Sequence, residues 1–320
     1  MTAAMPGTRA GLAALALAVL LPLAAAAQVP DAIADLRERA LALVNESRKA
    51  EGLDALALDE DAVAAAQAHA DDMFARDYYA HESPEGETAR DRYIDAGGNR
   101  WRLVAENIAR CEACQPPATA GRVEELHKGW MNSPGHRANI LSPGLAGFGF
   151  GLTVGADQGL YAVQTFAGPG VPPDLAPGEE PVALSPGKQA GRALAAVNRI
   201  RDRAGQPGLE PAPALDQAAR RLLPPPEQDD FALAGTGDLF GALPGEARDD
   251  WAALSVLAGA CGGCGTEVTA GDIRRFIRDW QDDPTQGQTL TDASFTHMGI
   301  ALQADGQGRK IAVLVLGRRR

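Results

Sequence analysis

Apolar residues recur every three or four positions near the start of the chain. This spacing over 33–44 predicts an amphipathic helix that Gly52 ends. Asp59 stands where it would cap a second helix, whose apolar stripe runs over 63–74. The first part of the chain is therefore predicted to be helical.

The pattern changes toward position 170. A short helix is predicted around Tyr93, and another covers 121–131. The segment 105–109 between them is predicted as a loop. Two apolar runs, 147–154 and 160–167, flank a short polar turn and predict an antiparallel hairpin. Helices first and a strand pair last predict an α+β fold, an α-β-α sandwich.

The second half of the chain repeats the first. Asn198 follows Asn45 by 153 positions, and Cys261 follows Cys111 by 150. At the 150-residue spacing, Cys114 matches Cys264, Trp130 matches Trp280, Pro134 matches Pro284 and Gly149 matches Gly299. Agreement of this kind predicts two copies of one fold. We expect tandem domains at 28–170 and 189–320, joined by a Pro-rich linker at 171–188.

The second copy keeps apolar positions and loses polar ones. Glu106 is replaced by Val256, His136 by Gln286 and Asn139 by Thr289. A scaffold without these polar groups predicts a degenerate copy with a structural or regulatory role. Packing of the two copies against each other is one arrangement that the sequence allows.

Composition restricts the classes of partner. Aromatic residues make up 5% of the chain and hydrophobic residues 45%, so the cores must rely on Ala, Leu and Val. The formal net charge of -12 argues against nucleic-acid binding, which needs clustered cations. It argues equally against docking on an anionic lipid surface.

The N-terminus carries a targeting signal. Arg9 precedes an apolar run over 11–24, and three alanines at 25–27 form a peptidase site of the A-x-A type. The run is shorter than the ~20 residues that span a bilayer. We predict a signal peptide at 1–27 and a secreted or periplasmic chain without a transmembrane segment after cleavage. The alternative is an uncleaved membrane anchor.

Export determines how the cysteines are interpreted. They form two C-x-x-C pairs, Cys111 with Cys114 and Cys261 with Cys264. In an oxidising compartment such pairs predict disulfides, each a local clip of one loop. A thioredoxin-like redox pair and a four-cysteine zinc site joining the two halves remain alternatives.

Three motifs follow one another in the first half. They are His81-Glu-Ser-Pro-Glu-Gly86, Ala105-Glu-Asn-Ile-Ala109 and Trp130-Met-Asn-Ser-Pro-Gly-His-Arg-Ala-Asn-Ile-Leu141. Their order and spacing resemble bacterial members of the CAP superfamily, the cysteine-rich secretory, antigen-five and pathogenesis-related proteins. The resemblance covers residues 32–168. It implies an α-β-α sandwich with a surface cleft that many members line with two His and two Glu.

The resemblance places individual residues in that cleft. His81 and His136 match the two histidines, and Glu106 matches the first glutamate. Ser133 stands where animal and plant members have the second glutamate, which puts a mechanism that needs four groups in doubt. Asn139 belongs to the same cleft, and its amide is expected to bond local backbone.

The residue types allow two interpretations of the cluster. Two imidazoles and a carboxylate suit a zinc ion with an open coordination position, with His81 and His136 as ligands. Alternatively, Glu106 bonds backbone N–H groups and holds its loop without metal. Of the other first-half histidines, His69 is predicted in the core and His127 at the surface.

Three functions follow from these observations. The first is a non-catalytic binding protein that holds a lipid, glycan or other envelope component in the cleft. The second is a metal-assisted hydrolase with Glu106 as general base. The third is an envelope interaction scaffold that uses the degenerate copy for docking. No credible nucleophile accompanies the motifs, because no G-x-S-x-G elbow is present, and this favours binding.

Overall fold

The computed structural model describes residue 1 and residues 32–320, apart from 157, 158, 226, 227, 229 and 236. The predicted signal peptide therefore lies outside the described residues, except for its first position. The described chain forms two mixed four-stranded sheets with helices packed on them, the predicted α+β class. No helix in this part of the chain is both long and apolar enough to span a lipid bilayer.

The first sheet has the strand order β1-β3-β4-β2. Its strands are β1 (Ala57–Leu58), β2 (Leu103–Cys111), β3 (Gly147–Gly155) and β4 (Gly159–Gly168). The helices are α1 (Ala32–Ala50), α2 (Glu60–Arg76), α3 (Ala89–Asp95), α4 (Ala120–Asn132) and α5 (Pro134–Ile140). The predicted helices and the closing hairpin are present. The predicted loop at 105–109 is wrong, because it is the middle of β2, antiparallel to β4.

Small residues determine how α2 lies on this sheet. Asp59 caps the helix, as predicted, by accepting a hydrogen bond from the Ala62 N–H. A Cβ at Gly149 or Gly151 would overlap the backbone of α2 at Ala62 or Ala66. Glycines on β3 facing alanines on α2 therefore permit a close approach of helix and sheet. This close approach suits a core with few aromatic side chains.

The second sheet has the order β5-β7-β8-β6 and repeats the pairing directions of the first. Its strands are β5 (Glu210–Pro211), β6 (Trp251–Cys261), β7 (His297–Ala304) and β8 (Lys310–Arg319). Its helices are α6 (Pro186–Arg203), α7 (Pro213–Leu222), α8 (Ala270–Asp282) and α9 (Pro284–Thr291). The last residues of the predicted linker thus form the first turn of α6. Where the first half has α3, the second has 3-10 helices at Phe240–Ala242 and Gly245–Asp250.

Side chains at equivalent positions make the same hydrogen bonds in the two halves. Asn45 and Asn198 each exchange two hydrogen bonds with the backbone eleven residues later, at Leu56 and Leu209. Arg48 and Arg201 are fully buried and donate to backbone carbonyls. Through Nη1, the acceptors are Ile140 and Ser142 for Arg48, and Leu290 and Asp292 for Arg201, at 2.9–3.0 Å. Both arginines therefore tie the first helix of their half to the C-terminal end of its last short helix and to the residues just after it.

The cysteine loop of the second half contacts the first half. Gly263 N–H donates to the Trp101 carbonyl at 2.6 Å, and Gly265 N–H donates to the Pro169 carbonyl at 2.8 Å. A Cβ at Gly170 would overlap the backbone of Gly263. The Gly-Gly sequence between the second cysteine pair therefore permits this close backbone contact.

Candidate functional site

Glu106 lies in the middle of β2 with its carboxylate almost completely buried. Its Oε1 accepts a hydrogen bond from His81 Nδ1 at 2.8 Å, and its Oε2 accepts one from Arg92 Nη2 at 2.8 Å. The side chains of Glu106 and Arg92 are 3% and 8% exposed. Because both partners can carry positive charge, these are charge-assisted bonds in a poorly solvated place. The prediction that Glu106 bonds backbone N–H groups is wrong in this respect.

Arg92 connects this carboxylate to the loop that carries His81. A capping box between Thr88 and Asp91 begins α3. Arg92 follows on the buried side of the helix and donates to the carbonyls of Glu87 and His81 at 2.9 Å each. Arg92 belongs to none of the three motifs and was not among the predicted site residues. Two features could have indicated its role. A buried carboxylate needs a cation as a partner, and Arg92 stands next to Tyr93, which is buried.

The pKa values of the two cleft histidines shift in opposite directions. Hydrogen bonding to Glu106 raises the pKa of His81, whose side chain is 56% exposed. Desolvation lowers the pKa of His136, and the charge of His81 lowers it further. The structure thus brings His81 into contact with Glu106, and it places His136 close enough to His81 for the two charges to interact. With Nδ1 of His81 bound to the carboxylate, its Nε2 is the atom left for a ligand.

Two asparagines fix α5 against β2. Asn139 Nδ2 donates to the Glu106 carbonyl and to Asn107 Oδ1, both at 2.9 Å. Asn107, which is fully buried, donates to the His136 carbonyl at 3.2 Å and to Gln164 Oε1 at 3.0 Å. The backbone that Asn139 binds is remote in sequence, so the expectation of a local bond is wrong. These amides hold the backbone of α5, including that of His136, against β2.

A groove of about 410 Å³ opens beside this cluster. Its lining includes Tyr79, Ile108, Arg122, Glu125, Trp130, Ser133 and His136. The ring of Tyr79 is exposed, and its hydroxyl donates to the Ile108 carbonyl at 3.1 Å. Ser133 joins α4 to α5 at the groove wall. His81 and Glu106 are not among the lining residues, and His136 links the groove to them.

The donor set does not fit a zinc ion held by three side chains. Within the described ranges, no group of three His, Cys, Asp or Glu side chains is arranged to hold a metal ion. Both oxygens of Glu106 are already bound, and the guanidinium of Arg92 would repel a cation there. Only the imidazoles of His81 and His136 would remain, fewer than the three protein ligands of catalytic zinc sites.

The other two histidines of the first half are both buried. His69 is in the core, as predicted, and its Nε2 lies 3.0 Å from the Ala80 carbonyl. His127 is also buried and its Nε2 lies 2.9 Å from Ser47 Oγ, so the prediction of a surface position is wrong. Burial lowers the pKa of both imidazoles. Neither lines the groove.

All four cysteines are paired. Cys111 bonds Cys114 and Cys261 bonds Cys264, with Cα–Cα distances of 5.4 and 6.1 Å. The predicted disulfides are therefore confirmed, and each closes a loop within its own half. A zinc site that joins the two halves through four thiolates is not the arrangement found.

Nuclear magnetic resonance should separate the two cleft imidazoles. We expect His81 to titrate above the ordinary pKa of 6.5 and His136 below it. The raised pKa of His81 stabilises the fold below pH 6.5, and this contribution disappears as pH rises through the folded-state pKa. The lowered pKa of His136 destabilises the fold as pH falls below 6.5.

In a Glu106→Gln variant the midpoint of the His81 titration should fall. An unchanged midpoint would contradict the assignment of Glu106 as the cause.

Comparison with known proteins identifies the first half. The model of the Cysteine-rich secretory protein family, CAP, matches residues 41–166. Over these residues the chain is similar to the CAP family. The matched range contains the helices, strands and motifs from which the resemblance was inferred, so that prediction is confirmed.

Two curated relatives are similar to part of this chain. The Bacillus subtilis (strain 168) protein YkwD is 31% identical over 139 residues, which are 43% of this chain and 49% of YkwD. The membrane protein YlbC of the same organism is 30% identical over 112 residues, 35% of this chain and 30% of YlbC. The chain thus spans half or less of the length of these relatives.

Two solved structures are also similar to this chain. An extracellular protein containing a SCP domain from Bacillus anthracis str. Ames is 30% identical, with 42% of this chain and 40% of that chain covered and a TM-score of 0.34. The structure of Na-ASP-1 is 10% identical and covers 91% of each chain at a TM-score of 0.40.

Proposed function

We propose that this chain is an exported binding protein whose CAP domain holds an envelope ligand, without catalysis, in the groove beside His81, Glu106 and His136. The observation that carries the proposal is the double engagement of Glu106 by Arg92 and His81. A carboxylate held in this way orients a histidine and stabilises its charge. It is poorly placed to accept a proton from a substrate.

The groove chemistry supports a glycan over a lipid. Arg122, Glu125 and His136 supply charged and hydrogen-bonding groups along its wall, and Tyr79 adds an exposed aromatic face. A sugar chain offers many hydroxyls and amides to such groups, with apolar ring faces for the tyrosine. An acyl chain would cover the Arg122–Glu125 ion pair and the imidazole of His136 without offering any of them a hydrogen bond.

Hydrolysis is the second candidate, and the His81–Glu106 pair is the observation that favours it. A carboxylate-oriented imidazole can serve as a general base toward water. The nearby hydroxyl of Ser83 is buried and accepts a hydrogen bond from the Glu87 N–H. Among the described residues Ser83 makes no hydrogen bond to His81, so a serine nucleophile is not supported. In the predicted metal-assisted form Glu106 would be the general base, and both of its carboxylate oxygens already accept hydrogen bonds.

The proposed location is outside the cytoplasm. The predicted signal peptide at 1–27 supports export, and the Bacillus anthracis relative is described as extracellular. We further propose that residues 189–320 form a degenerate copy of the CAP domain. Its sheet has the same strand order as the first sheet, and its buried Arg201 corresponds to Arg48, which supports the proposal of a second copy. Val256 stands where the first half has Glu106.

Binding of soluble peptidoglycan fragments tests the proposal. We expect the mature chain to bind muramidase-released fragments in calorimetry, and His81→Ala/His136→Ala to bind at least tenfold more weakly. Lys49→Ala, an exposed position on α1, is the matched control and should bind normally. Release of new reducing ends or amines by the wild type, lost in the double variant, would establish hydrolysis instead. If the double histidine variant binds as tightly as Lys49→Ala, the ligand binds outside this groove.

A further inference from the structure

A cluster of arginines stands out on this acidic chain. The formal net charge is -12, yet α6 and α8 together border a groove of about 360 Å³ with five exposed arginines. They are Arg192, Arg199 and Arg203 on α6, and Arg274 and Arg278 on α8. Between them the groove is lined by apolar side chains, among them Ala196, Ile200, Ile273 and Ile277. We call this surface the arginine groove.

The first half does not have this charge. The equivalent positions, 153 or 150 residues earlier, are Arg39, Glu46, Ala50, Glu124 and Lys128. Their formal charges cancel, and Arg39 is bound directly to Glu124. The same pair of helices packs in both halves, so packing does not require the arginines. The charge of the second half therefore points to a ligand.

The chain itself shows what kind of group the arginines bind. The segment before α6 lies against one end of the arginine groove. Arg274 donates to the Asp174 carbonyl at 2.6 Å and forms an ion pair with Glu179, and Arg278 forms an ion pair with Asp174. A Cβ at Gly271 would overlap the Pro173 carbonyl, so this end is shaped for a polypeptide. Acidic side chains and a backbone carbonyl are thus already bound there.

The other end offers the same chemistry without an acidic partner. In the part of the chain that the structure describes, no carboxylate lies within ion-pair distance of Arg199 or Arg203. Arg199 donates only to a carbonyl of its own helix, at 3.1 Å. Two exposed guanidiniums beside apolar side chains are suited to an acidic chain with apolar residues.

We propose that the arginine groove binds an acidic, extended polypeptide segment of another protein. The segment would continue the path that residues 173–179 take at the occupied end. The net charge of the chain weighs against an anionic bilayer, because a membrane meets the whole acidic surface and not one groove. A narrow peptide meets only the local arginines, since other charges are screened within about 8 Å at physiological salt.

The experiment uses the full mature chain and a labelled peptide of twelve residues that alternates glutamate with leucine. Fluorescence anisotropy should detect binding that weakens as salt is raised. Arg199→Gln/Arg203→Gln should bind at least tenfold more weakly. Lys49→Ala/Lys128→Ala removes the same charge from α1 and α4 and should bind like the wild type. Glutamine keeps these helix positions soluble and helical, so the folded state is preserved.

Three outcomes would overturn the proposal. They are equal binding by the arginine variant, equal binding of a peptide with glutamine in place of glutamate, and tighter binding to phosphatidylglycerol vesicles than to the peptide. A further variant tests the occupied end. Glu179→Gln removes the carboxylate that is paired with Arg274, while the hydrogen bond of Arg274 to the Asp174 carbonyl remains. This variant should bind the peptide several-fold more tightly, and a loss of affinity would contradict the continuous path.

Discussion

Replacing Arg92 by methionine should destabilise the first half by about 3–5 kcal/mol, the cost of breaking a buried ion pair from one side. The substitution leaves the carboxylate of Glu106 buried and without the guanidinium that binds its Oε2. It also removes the hydrogen bonds to the carbonyls of Glu87 and His81, which hold the His81 loop in place. Urea unfolding at neutral pH measures the change as a lower midpoint.

Two further variants separate the ion pair from general damage. Arg90→Met changes an exposed arginine on the same helix and should shift stability by no more than about 0.5 kcal/mol. Arg92→Met/Glu106→Gln removes both charges and should recover part of the loss. If Arg92→Met unfolds at the wild-type urea concentration, Glu106 does not depend on Arg92 for its buried charge.

The helices and the closing hairpin could be predicted because their signals are local. Asp59 caps α2, and the apolar period of each helix is regular. Strand β2 could not be predicted, because Glu106 and Asn107 are neighbours and both are buried. A strand places neighbours on opposite faces, so a buried polar pair breaks the expected alternation. Partners from remote segments, Arg92 and Gln164, make their burial acceptable.

The same reason explains what was missing from the candidate site. Motif order pointed to His81, Glu106 and His136, and the structure brings His81 and Glu106 into contact. Arg92 carries no motif, and its role depends on how α3 packs against β2. A three-ligand zinc site was a reasonable interpretation of the residue types. The arginine that accompanies the carboxylate changes that interpretation, because it occupies the oxygen a metal would need.

The second half has neither the carboxylate nor its surroundings. Val256 takes the register position of Glu106, opposite Val315 where the first sheet has Thr165. The helix that carries Arg92 has no α-helical counterpart there. Either Glu106 or Arg92 without the other would be an unpaired buried charge, so the absence of both groups is less costly than the absence of one. The new arginines on α6 and α8 then suggest that this half acquired a different task.

The buried arginines shared by both halves test whether the halves unfold separately. Arg48→Ala and Arg201→Ala each remove a guanidinium that donates to several backbone carbonyls, and these would remain buried without partners. We expect a loss of about 3–5 kcal/mol for each, since every unsatisfied buried group costs about 1–3 kcal/mol. That corresponds to roughly 10–20 °C in the midpoint of the affected half.

Scanning calorimetry of the two variants distinguishes two arrangements. If 28–170 and 189–320 are separate cooperative units, Arg48→Ala lowers one transition and Arg201→Ala lowers the other. Arg199→Ala, exposed on α6, should leave both near their wild-type positions. If each buried variant lowers a single common transition equally, the contact between Gly263 and Trp101 belongs to one shared unit. The division into two units would then fail, because a break in either core would unfold both sheets together.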